Sequence, residues 1–552
     1  MKNNLSKLDS SKICVGIDLG TTNTTVAYMA PEQSGPVDCK IRQKGHGTTR
    51  TDEILPSVLY RKADGSEVVG NEAEDLKENS FLNSQEDVRY LENTKRYMGT
   101  RSTFTIDDRV YTPIDVATAI LEHVKKYSII NRIKGDYYTI ITVPAKFGND
   151  QRSATLEAAR RAGFENVELY DEPKAAILSF LHADSLRLDN KLLDLSSKKR
   201  ILVIDIGGGT CDICVEDVEK QGDQYIFSHK AVGREDLGGV DFDTRIGDEL
   251  AKKYLQGATL SASEVASLRS TGQKIKERIS QDIDYFICDE YDGDESELYK
   301  KADWHDILDD EGIECSLAKE INGKSVTFSM GAREFCNVID PLIYQLTEDV
   351  AVNKDERRHN KNMESLINET LNESDINVDS IDIIFLTGGM AKCFPLRAAL
   401  YELYKKPIIS PEDPFYAVSR GASLVNRYKT IDESSPDIMP NAIMMDMDNG
   451  RLETLVEIGE QVPVQRTVDR VFETVSRMGV VIRLFEGKNE FDSQLRRINN
   501  LYIIKFDEPQ PIGRAFKIDY AVDRTKRIKF TITFLDNDDK YEISGQIRED
   551  NE

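Results

Sequence analysis

The sequence predicts an α/β part over residues 13–425, followed by an all-β part over residues 441–552. From residue 13 to residue 424, apolar strand-like runs alternate with amphipathic helical stretches, which is the pattern of layered α/β folds. From residue 442 to residue 547 the apolar runs are short, rich in β-branched and aromatic residues, and separated by turn residues. Short strands at such spacing indicate a β-sandwich or barrel.

The predicted elements follow in chain order. A polar tail, residues 1–12, precedes the first strand, and a polar linker, residues 426–440, joins the two parts. An acidic and irregular stretch, residues 288–326, is expected to be an insertion or an elaborated lobe. The other segments are predicted strands at 13–17, 138–143, 200–206 and 381–387, predicted helices at 113–130, 151–162, 262–279 and 394–403, and predicted sandwich strands at 452–458, 471–475, 480–485, 501–506, 516–522 and 527–534.

Length, charge and cysteine content argue against several classes of protein. A chain of 552 residues is too long for one core and predicts several compact units. With 72 basic and 97 acidic side chains, the net charge of −25 argues against binding to nucleic acid or to a bilayer surface, because both are anionic. The N-terminus lacks an apolar signal and no run approaches the roughly 18 apolar residues of a spanning helix, so we expect a cytoplasmic protein. The eight scattered cysteines predict reduced thiols.

The first chemical motif is a carboxylate followed by a glycine turn. Asp18 ends the first strand and is followed by Gly20, Thr21, Thr22 and Asn23. Glycine lets backbone N–H groups approach a phosphate closely, the hydroxyls can donate to it, and the aspartate can hold a hydrated magnesium ion. An ordinary hairpin with a polar turn is the structural alternative.

A second segment, residues 201–215, repeats this pattern with three consecutive glycines between an aspartate and a threonine. Such a run inside an apolar strand pair is unfavourable unless a ligand lies against the backbone. Two hairpins of this kind facing each other would hold phosphates from both sides, and the likeness to residues 13–26 is consistent with an internal duplication. The residues concerned are Asp205, Gly207, Gly208, Gly209, Thr210 and Asp212.

A third glycine pair, Gly388 and Gly389, ends the predicted strand 381–387 and opens a helix. Glycine at this place would suit the flat face of a nucleoside. Alternatively, the helix N-terminus would suit an anion.

These motifs, in this order, resemble the actin-like ATPase superfamily and, more closely, the DnaK-type heat-shock chaperones of the seventy-kilodalton class. The match covers residues 13–424. Strings similar to the family's proline-switch region and to its next signature are ITVPAKF at 141–147, QRSAT at 151–155, DEPKAA at 171–176 and LGGVDFD at 237–243.

The resemblance implies a fold and a domain order. It implies a two-lobed actin-like (ribonuclease H-like) ATPase domain at residues 13–425 and a β-sandwich peptide-binding domain at residues 441–552. The family's helical lid would follow the sandwich, and because the sequence stops at Glu552 we expect a lidless member.

The resemblance also implies catalytic roles. Asp18 and Asp205 would hold Mg²⁺ through water molecules, with Glu172 supporting that hydration shell. Lys95 matches the family lysine that orients the attacking water, and Asp212 stands where the family has a second acidic residue near that water. Positioning and electrostatics of this kind supply most of the catalysis in phosphoryl transfer. For Lys95 alone, the alternative is a solvated surface lysine.

Other residues are implied to contact ATP or ADP. The helix carrying Gln273, Lys276 and Ser280 presents them on one face, which would receive the adenosine. The family has glutamate at the first of these positions and arginine after the third glycine pair, where this chain has Gln273 and Lys392, while Phe415 replaces an aspartate. We therefore expect weaker nucleotide binding than in typical members. The implied phosphate and nucleoside contacts are Gly20, Thr21, Thr22, Asn23, Gly207, Gly208, Gly209, Thr210 (also catalytic), Gly238, Gly239, Gly388 and Gly389.

The all-β part resembles the family's peptide-binding domain. Residues 440–463 match without a gap, and residues 485–488 are similar to a recurring turn. An extended hydrophobic peptide needs apolar pocket positions. The positions that the resemblance implies are Met445, Met447, Phe472, Val475, Val480 and Ile482. The alternative, with equal weight, is that these are core residues of the sandwich.

Further positions concern coupling and partners. Pro144 and Arg152 match the family's interdomain switch, whereas the linker lacks the leucine-rich patch of typical members. Glu168 stands where a basic residue helps to receive a J-domain, and Lys174 replaces a threonine nearby. The implied partners are extended peptide segments of proteins, an atypical J-domain protein and a nucleotide exchange factor.

Three other patterns carry little weight. Cys211 and Cys214 are three residues apart on a predicted strand, so their side chains point to opposite faces. The end of a P-loop appears at residues 323–325, but Ala318 stands where the motif needs glycine. The six histidines show no metal-ligand spacing, and we expect no metal other than magnesium.

Together the motifs predict an ATP-dependent chaperone-like protein that hydrolyses ATP slowly and binds extended hydrophobic peptides. One alternative is a nucleotide-gated scaffold for a single dedicated partner, favoured by the altered linker, by Glu168 and by the expected lack of a lid. The other is a small-molecule kinase of the same superfamily, which the proline-switch strings and the sandwich argue against.

Overall fold

The computed structural model describes residues 9–45, 47–82, 88–133, 136–187, 192–256, 258–290, 296–301, 304–321, 323–343, 362–428, 430, 437–447, 451–492, 495–498 and 502–544. Within these ranges, no helix combines the length and the apolar character needed to cross a membrane. The described part of the chain forms an α/β unit and, after residue 436, an all-β unit. This agrees with the predicted fold class.

The helices all belong to the α/β unit. Sequence signals set their starts, as at the second helix, where the Thr112 hydroxyl accepts from the backbone N–H of Asp115 and Pro113 occupies the first turn. The helices are α1 (Asn71–Leu82), α2 (Pro113–Tyr127), α3 (Asn149–Arg161), α4 (Glu172–Ser185), α5 (Gly239–Tyr254), α6 (Ala262–Glu290), α7 (Ser296–Tyr299), α8 (Trp304–Asp310), α9 (Ala332–Ile343), α10 (Met363–Glu373), α11 (Phe394–Tyr404) and α12 (Ala417–Tyr428).

The strands fall into two groups. Those of the α/β unit are β1 (Ile13–Leu19), β2 (Asn23–Met29), β3 (Val37–Asp38), β4 (Ile41–Gly45), β5 (Thr48–Asp52), β6 (Ile54–Pro56), β7 (Leu59–Arg61), β8 (Glu67–Val69), β9 (Tyr90–Leu91), β10 (Phe104–Ile106), β11 (Arg109–Tyr111), β12 (Tyr137–Val143), β13 (Val167–Asp171), β14 (Lys199–Ile206), β15 (Cys211–Gln221), β16 (Gln224–Glu235), β17 (Glu314–Ile321), β18 (Lys324–Gly331), β19 (Ile383–Thr387) and β20 (Ile408–Ile409). Those of the all-β unit are β21 (Asp437–Ile438), β22 (Ala442–Asp446), β23 (Leu452–Val456), β24 (Gln461–Val462), β25 (Val464–Thr467), β26 (Phe472–Glu473), β27 (Gly479–Ile482), β28 (Leu484–Gly487), β29 (Arg496–Arg497), β30 (Tyr502–Lys505), β31 (Ala515–Val522), β32 (Ile528–Phe534) and β33 (Lys540–Ser544).

The α/β unit has two lobes with the same central arrangement. In the first, β1 pairs antiparallel with β2 and parallel with β12, in the order β13-β12-β1-β2-β3. In the second, β14 pairs antiparallel with β15 and parallel with β19, in the order β16-β15-β14-β19-β20. Each lobe therefore begins with a hairpin whose turn is one of the two Asp-Gly motifs, as an internal duplication would give.

Separate hydrophobic cores support the lobes. One core surrounds the first sheet and another surrounds the second, while a third, containing Ile140, Ile177 and Val203, lies between them. Of the two alternatives for residues 288–326, an insertion or an elaborated lobe, the second agrees with the structure, because the described part of this stretch packs into the core of the second lobe. Its Trp304 and Leu308 are buried in that lobe's core, because apolar side chains on one helix face pack inward although the stretch as a whole is acidic.

Several predicted boundaries need correction. The helix predicted at 262–279 continues to Glu290, because Ile283 and Ile287 keep its apolar face on the core. The first residues of the predicted linker 426–440 complete α12, and its end forms β21, whereas residue 429 and residues 431–436 lie outside the described part. The turn predicted at 485–488 is mostly the end of β28.

The all-β unit is a sandwich of short sheets around one core. One sheet has the order β23-β22-β28-β29, and another has the order β25-β31-β32-β33 with β26 also on β31. Phe530, Ile532 and Val456 are fully buried between them. Alternating burial along β32 and β31 explains why sequence periodicity predicts these strands closely.

The sandwich packs against the start of α3 in the first lobe. Asn149 donates to the Tyr502 hydroxyl at 3.0 Å, and Arg496 donates to Gln151 at 3.2 Å. Gly148, just before α3, has no room for a side chain because the carboxylate of Glu486 occupies that space. The two units therefore form a close polar interface in this arrangement.

Candidate functional site

A cavity of about 250 Å³ lies between the two lobes and collects most of the predicted nucleotide-site residues. Crevices at the carboxyl ends of sheet strands and clefts between lobes are typical ligand sites of α/β proteins. The predicted residues on its wall are Asp18, Gly20, Thr21, Thr22, Asn23, Lys95, Glu172, Asp205, Gly207, Gly208, Thr210, Asp212, Gly239, Gln273, Lys276, Gly388 and Gly389. Four predicted residues, Gly209, Gly238, Ser280 and Lys392, do not line it.

The two hairpins bring their aspartates to facing strand ends. Asp18 lies near the end of β1, and Asp205 lies near the end of β14, where it pairs with Asp212 on one side and with Thr387 on the other. The turn glycines follow directly, so the carboxylates and the exposed backbone of both turns meet in the same cavity.

The two glycine turns touch each other. A Cβ at Gly208 would collide with the side chain of Thr22, so only glycine fits there. The Thr22 hydroxyl is buried and makes no hydrogen bond within the described residues. A buried hydroxyl without a partner is unfavourable, and a ligand oxygen in the cavity would satisfy it.

The carboxylates of the cavity carry more negative charge than their surroundings neutralise. Burial, together with the charge of Glu172, raises the pKa of Asp18 to about 7. Burial and the carboxylates of Glu172, Asp212 and Asp18 raise the pKa of Asp205 well above its ordinary value. A divalent cation bound among oxygen ligands would relieve this repulsion, so the residues present fit Mg²⁺.

Lys95 lies inside the cavity rather than in solvent. Its ammonium contacts the Glu172 carboxylate at 2.7 Å, and the two side chains are only 10% and 8% exposed. Lys95 reaches this place from the short helical turn Thr94–Tyr97, which is tied by Arg96 to the carbonyl oxygen of Gly209. The solvated-lysine alternative for Lys95 is therefore wrong.

Asp212 is fixed by a cation on the neighbouring strand. The guanidinium of Arg234 lies 3.3 Å from its carboxylate. Burial raises the pKa of Asp212, although Arg234 opposes that shift. A carboxyl with a raised pKa beside Thr210 is well suited to hold or accept a proton.

The side expected to receive adenosine differs in detail from the expectation. Lys276 is paired with Asp243 at 2.6 Å, and burial raises the pKa of Asp243 to about 6. Gln273 donates to Glu277 at 2.9 Å. Ser280 is directed to the Cys393 thiol, which explains why it does not reach the cavity.

Lys392 contacts an aromatic ring of the cavity wall and does not line the cavity itself. Its ammonium lies 5.0 Å from the centroid of the Phe415 ring, and Phe415 lines the cavity next to Gly389.

Sequence reasoning assigned no role to several other wall residues. Val240 and Asp243 stood inside a quoted motif, at 237–243, and could have been found, whereas the others lie outside the strings quoted above. They are Thr25, Val240, Asp243, Glu277, Met390, Pro414 and Val418.

The predicted interdomain switch lies at the edge of the interface with the sandwich. Arg152 is 2% exposed, donates to the carbonyl oxygen of Phe147 at 2.8 Å and pairs with Asp171 at 2.5 Å. Pro144 begins the turn that ends at Phe147, whose backbone N–H donates to the Pro144 carbonyl oxygen. Arg152 thus ties that turn to the end of β13.

Buried charges from three segments meet at Asp171. We call this set, Arg152, Asp171, Lys174, Asp437 and Lys526, the junction cluster. Lys174 contacts Asp437 at 2.9 Å, and Lys526 of the sandwich lies 3.6 Å from Asp171 and 3.7 Å from Asp437. Burial alone would raise the pKa of Asp171, but Arg152 and Lys526 hold it well below its ordinary value. The cluster joins the first lobe, the end of the linker and the sandwich.

Two predicted partner positions also lie at this interface. Lys174 belongs to the junction cluster. Burial raises the pKa of Glu168, while Arg527 in the sandwich opposes that shift. Both positions therefore face the sandwich in this arrangement.

The six predicted peptide-binding positions do not form one open groove here. Met445, Met447 and Ile482 are buried in the core of the sandwich, and Phe472 and Val480 are half-buried against it. Val475 is 87% exposed. Peptide binding at these positions stays a prediction.

Comparisons with known proteins agree with the resemblance found in the sequence. A family model described as "Hsp70 protein" matches residues 100–291. The chain is 28% identical over 490 residues to "Chaperone protein DnaK" of Thermosipho melanesiensis, which is 86% of this chain and 70% of that protein. It is 27% identical over 497 residues to that of Thermotoga neapolitana (87% and 71%) and 25% identical over 513 residues to that of Elusimicrobium minutum (90% and 71%).

Proposed function

Since the chain belongs to the Hsp70 family of chaperones, with an actin-like α/β unit followed by a β-sandwich, we propose that it is an ATPase that couples nucleotide binding to peptide binding. The cavity between the lobes is the proposed site for ATP and Mg²⁺. The observation that carries the proposal is the convergence of Asp18, Asp205, Glu172 and Lys95 with two touching glycine turns in that one cavity.

In the proposed complex the two turns hold the phosphates. Residues 20–23 of the first lobe and Gly207, Gly208 and Thr210 of the second line the cavity from opposite sides, and the Thr22 hydroxyl would gain the partner that it lacks in the protein alone. Asp18 and Asp205 would hold magnesium, which supplies charge neutralisation on the phosphates. The nucleoside would lie between α6 and Phe415, with Gln273 and Lys276 on one side.

Hydrolysis would depend on residues that position a water molecule. The Lys95 ammonium, held by Glu172, would orient the water and stabilise negative charge on the terminal phosphate. Asp212, fixed by Arg234, would accept the water's proton. Since both side chains are already paired, little reorganisation is needed when ATP binds.

We place peptide binding on the sandwich, and we divide the protein at residues 425 and 441. The docked arrangement buries Met445, Met447 and Ile482, so a peptide would reach these positions only after the strands around them part. The junction cluster connects the sandwich to β13 and is our candidate for the coupling element. A J-domain partner would have to compete with the sandwich for the surface around Glu168.

The proposal is tested by measuring ATP binding and ATP turnover separately, with and without a short extended hydrophobic peptide. Lys95→Ala should bind ATP with Mg²⁺ and lose turnover by about 10²- to 10³-fold, because it removes one preorganised electrostatic group. The matched control is Lys253→Ala, a lysine paired with Glu334 on the outside of the second lobe. If Lys95→Ala turns over ATP at the wild-type rate, the assigned role is wrong.

A second candidate is a nucleotide-gated scaffold for one dedicated partner. The burial of three of the six predicted peptide positions favours it, since a protein without an open groove need not bind many clients. Peptide-stimulated, Lys95-dependent turnover would support the chaperone. ATP binding with peptide-independent and negligible turnover would support the scaffold instead.

A further inference from the structure

A thiol, a carboxylate and an imidazole meet beneath the junction cluster. Cys214 and Glu216 are two residues apart on β15, so both side chains leave the same face of that strand. The register between β15 and β16 shifts beside Val215, which places His229 of β16 directly opposite Glu216. All three side chains are at most 2% exposed.

The donor atoms of these residues converge on one point. The Cys214 Sγ atom lies 3.0 Å from His229 Nδ1 and 3.5 Å from Glu216 Oε1, and His229 Nδ1 also contacts Glu216 Oε1. Donors around a tetrahedral zinc ion, at bond lengths of 2.0–2.3 Å, are separated by roughly 3.3–3.8 Å. The two distances from Cys214 lie within about half an ångström of these values, whereas His229 Nδ1 and Glu216 Oε1 would have to move further apart to admit the ion.

Two further observations point to a ligand at this place. The second carboxylate oxygen of Glu216, Oε2, is buried and makes no hydrogen bond within the described residues. On the other side of the imidazole, His229 Nε2 lies 2.9 Å from Asp171 Oδ2. A histidine that binds a metal through one nitrogen usually donates from the other to a carboxylate, and that contact fixes the ring.

We propose that Cys214, Glu216 and His229 bind a zinc ion, with both Glu216 oxygens as ligands and Asp171 as the acceptor for the imidazole. One sulfur, one nitrogen and two oxygens make four donors, in a distorted tetrahedron because the two oxygens of one carboxylate lie closer together than the other donors. Binding forms Zn–S, Zn–N and Zn–O bonds and releases the Cys214 thiol proton and the His229 Nδ1 proton to solvent.

The charge of the region is compatible with this exchange. Without metal, His229 Nδ1 faces the Glu216 carboxylate, and Nε2 faces the carboxylates of Asp171 and Asp437. In this arrangement Zn²⁺ takes the place of the Nδ1 proton and of the Cys214 thiol proton, two positive charges for two, so the net charge of the region is unchanged.

The cysteine pair noted in the sequence is not the ligand pair. Cys211 lies in the core of the second lobe, whereas Cys214 lies in the core between the lobes. The relevant pattern is instead Cys-X-Glu on one strand with histidine on the next, a pairing that sequence spacing alone does not reveal. The proposed site is separate from the nucleotide cavity and does not depend on the proposed ATPase activity.

The test uses the full chain, stripped of metal with a chelator and then titrated with Zn²⁺ or Co²⁺ in excess Mg²⁺. We expect one tightly bound zinc per chain by elemental analysis. With Co²⁺ we expect a thiolate-to-cobalt charge-transfer band and the intense visible bands of four-coordination. Cys214→Ser and His229→Gln should lose both signals, and Asp171→Asn should weaken binding roughly 10- to 100-fold.

The matched control is Cys211→Ala, which removes a buried thiol from the opposite face of the same strand and should keep full metal binding. Circular dichroism and thermal unfolding identify any variant that fails to fold. The cobalt spectrum of the wild-type chain provides a reading that needs no variant. The proposal is overturned if the wild-type chain takes up no zinc, if its cobalt spectrum lacks the thiolate band, or if folded Cys214→Ser binds as tightly as wild type.

Discussion

Replacing Lys526 by methionine should undock the sandwich. Lys526 is 1% exposed at its side chain, and its ammonium lies 3.6 Å from Asp171 and 3.7 Å from Asp437. It also donates to the carbonyl oxygen of Ala145 at 3.2 Å. Methionine keeps most of the apolar stem and removes the charge, so the change acts on these polar contacts rather than on packing.

The magnitude follows from these contacts. At an effective dielectric constant of about 20, each attraction amounts to roughly 4–5 kcal/mol before desolvation and the repulsion from Lys174 and Arg152 are subtracted. Removing one partner of a buried ion pair typically destabilises by about 3–5 kcal/mol. Because Lys526 belongs to the sandwich and Asp171 to the first lobe, this loss falls on docking. It corresponds to a shift of roughly 10²- to 10⁴-fold in the docking equilibrium.

Hydrogen–deuterium exchange measures that shift directly. Residues 145–152 are covered by the sandwich, so their amides should exchange faster in Lys526→Met, and small-angle scattering should show a larger radius of gyration. Lys505→Met is the matched control, because Lys505 is an exposed lysine on β30 of the same unit. If Lys526→Met keeps wild-type protection at residues 145–152 and folds normally, the junction cluster does not hold the two units together.

Two further predictions concern the cleft and the sandwich. The Glu92 carboxylate lies 2.9 Å from Lys77 and 3.1 Å from Arg269 of the opposite lobe, so Glu92→Gln should release fluorescent ADP about 5- to 30-fold faster in stopped flow. Burial raises the pKa of Glu92, but these two cations lower it below the ordinary 4.5. The wild-type contact should therefore persist at neutral pH and weaken only as the pH falls through that lowered pKa. Equal ADP release rates in Glu92→Gln and wild type would contradict this role. On the sandwich, Val475→Asp should weaken peptide binding without changing the melting temperature, whereas Met445→Ala should lower the free energy of unfolding by about 2–5 kcal/mol. Unchanged peptide affinity in Val475→Asp would show that the predicted groove is wrong.

The sequence predicts the fold class and most of the cavity because those signals are local. An aspartate that ends an apolar run and precedes glycine and threonine fixes its own position at a strand end, as Asp18 and Asp205 show. Two such copies in equivalent hairpins must then face each other once the lobes pack. Lys95 was placed by family resemblance alone, since nothing in its neighbourhood distinguishes it from a surface lysine.

The junction cluster could not be predicted in the same way. Asp437 and Lys526 are single charged residues on different elements, 89 positions apart in the sequence (526 − 437), and docking alone brings them to Asp171. Periodicity reports which face of an element is buried, but it does not report which other element covers that face. The peptide positions stay a prediction for a related reason, because an apolar residue in a sandwich strand has the same pattern whether it lines a groove or fills the core.

Asp171 of the junction cluster and Glu172 of the cavity between the lobes are joined by a single peptide bond. Asp171 is the last residue of β13 and belongs to the junction cluster, while Glu172 is the first residue of α4 and holds Lys95 in the cavity. Their α-carbons are about 3.8 Å apart across a planar unit that does not bend. A displacement of the end of β13 would therefore carry both α-carbons, and we expect a change at the sandwich to reach the cleft through this one step.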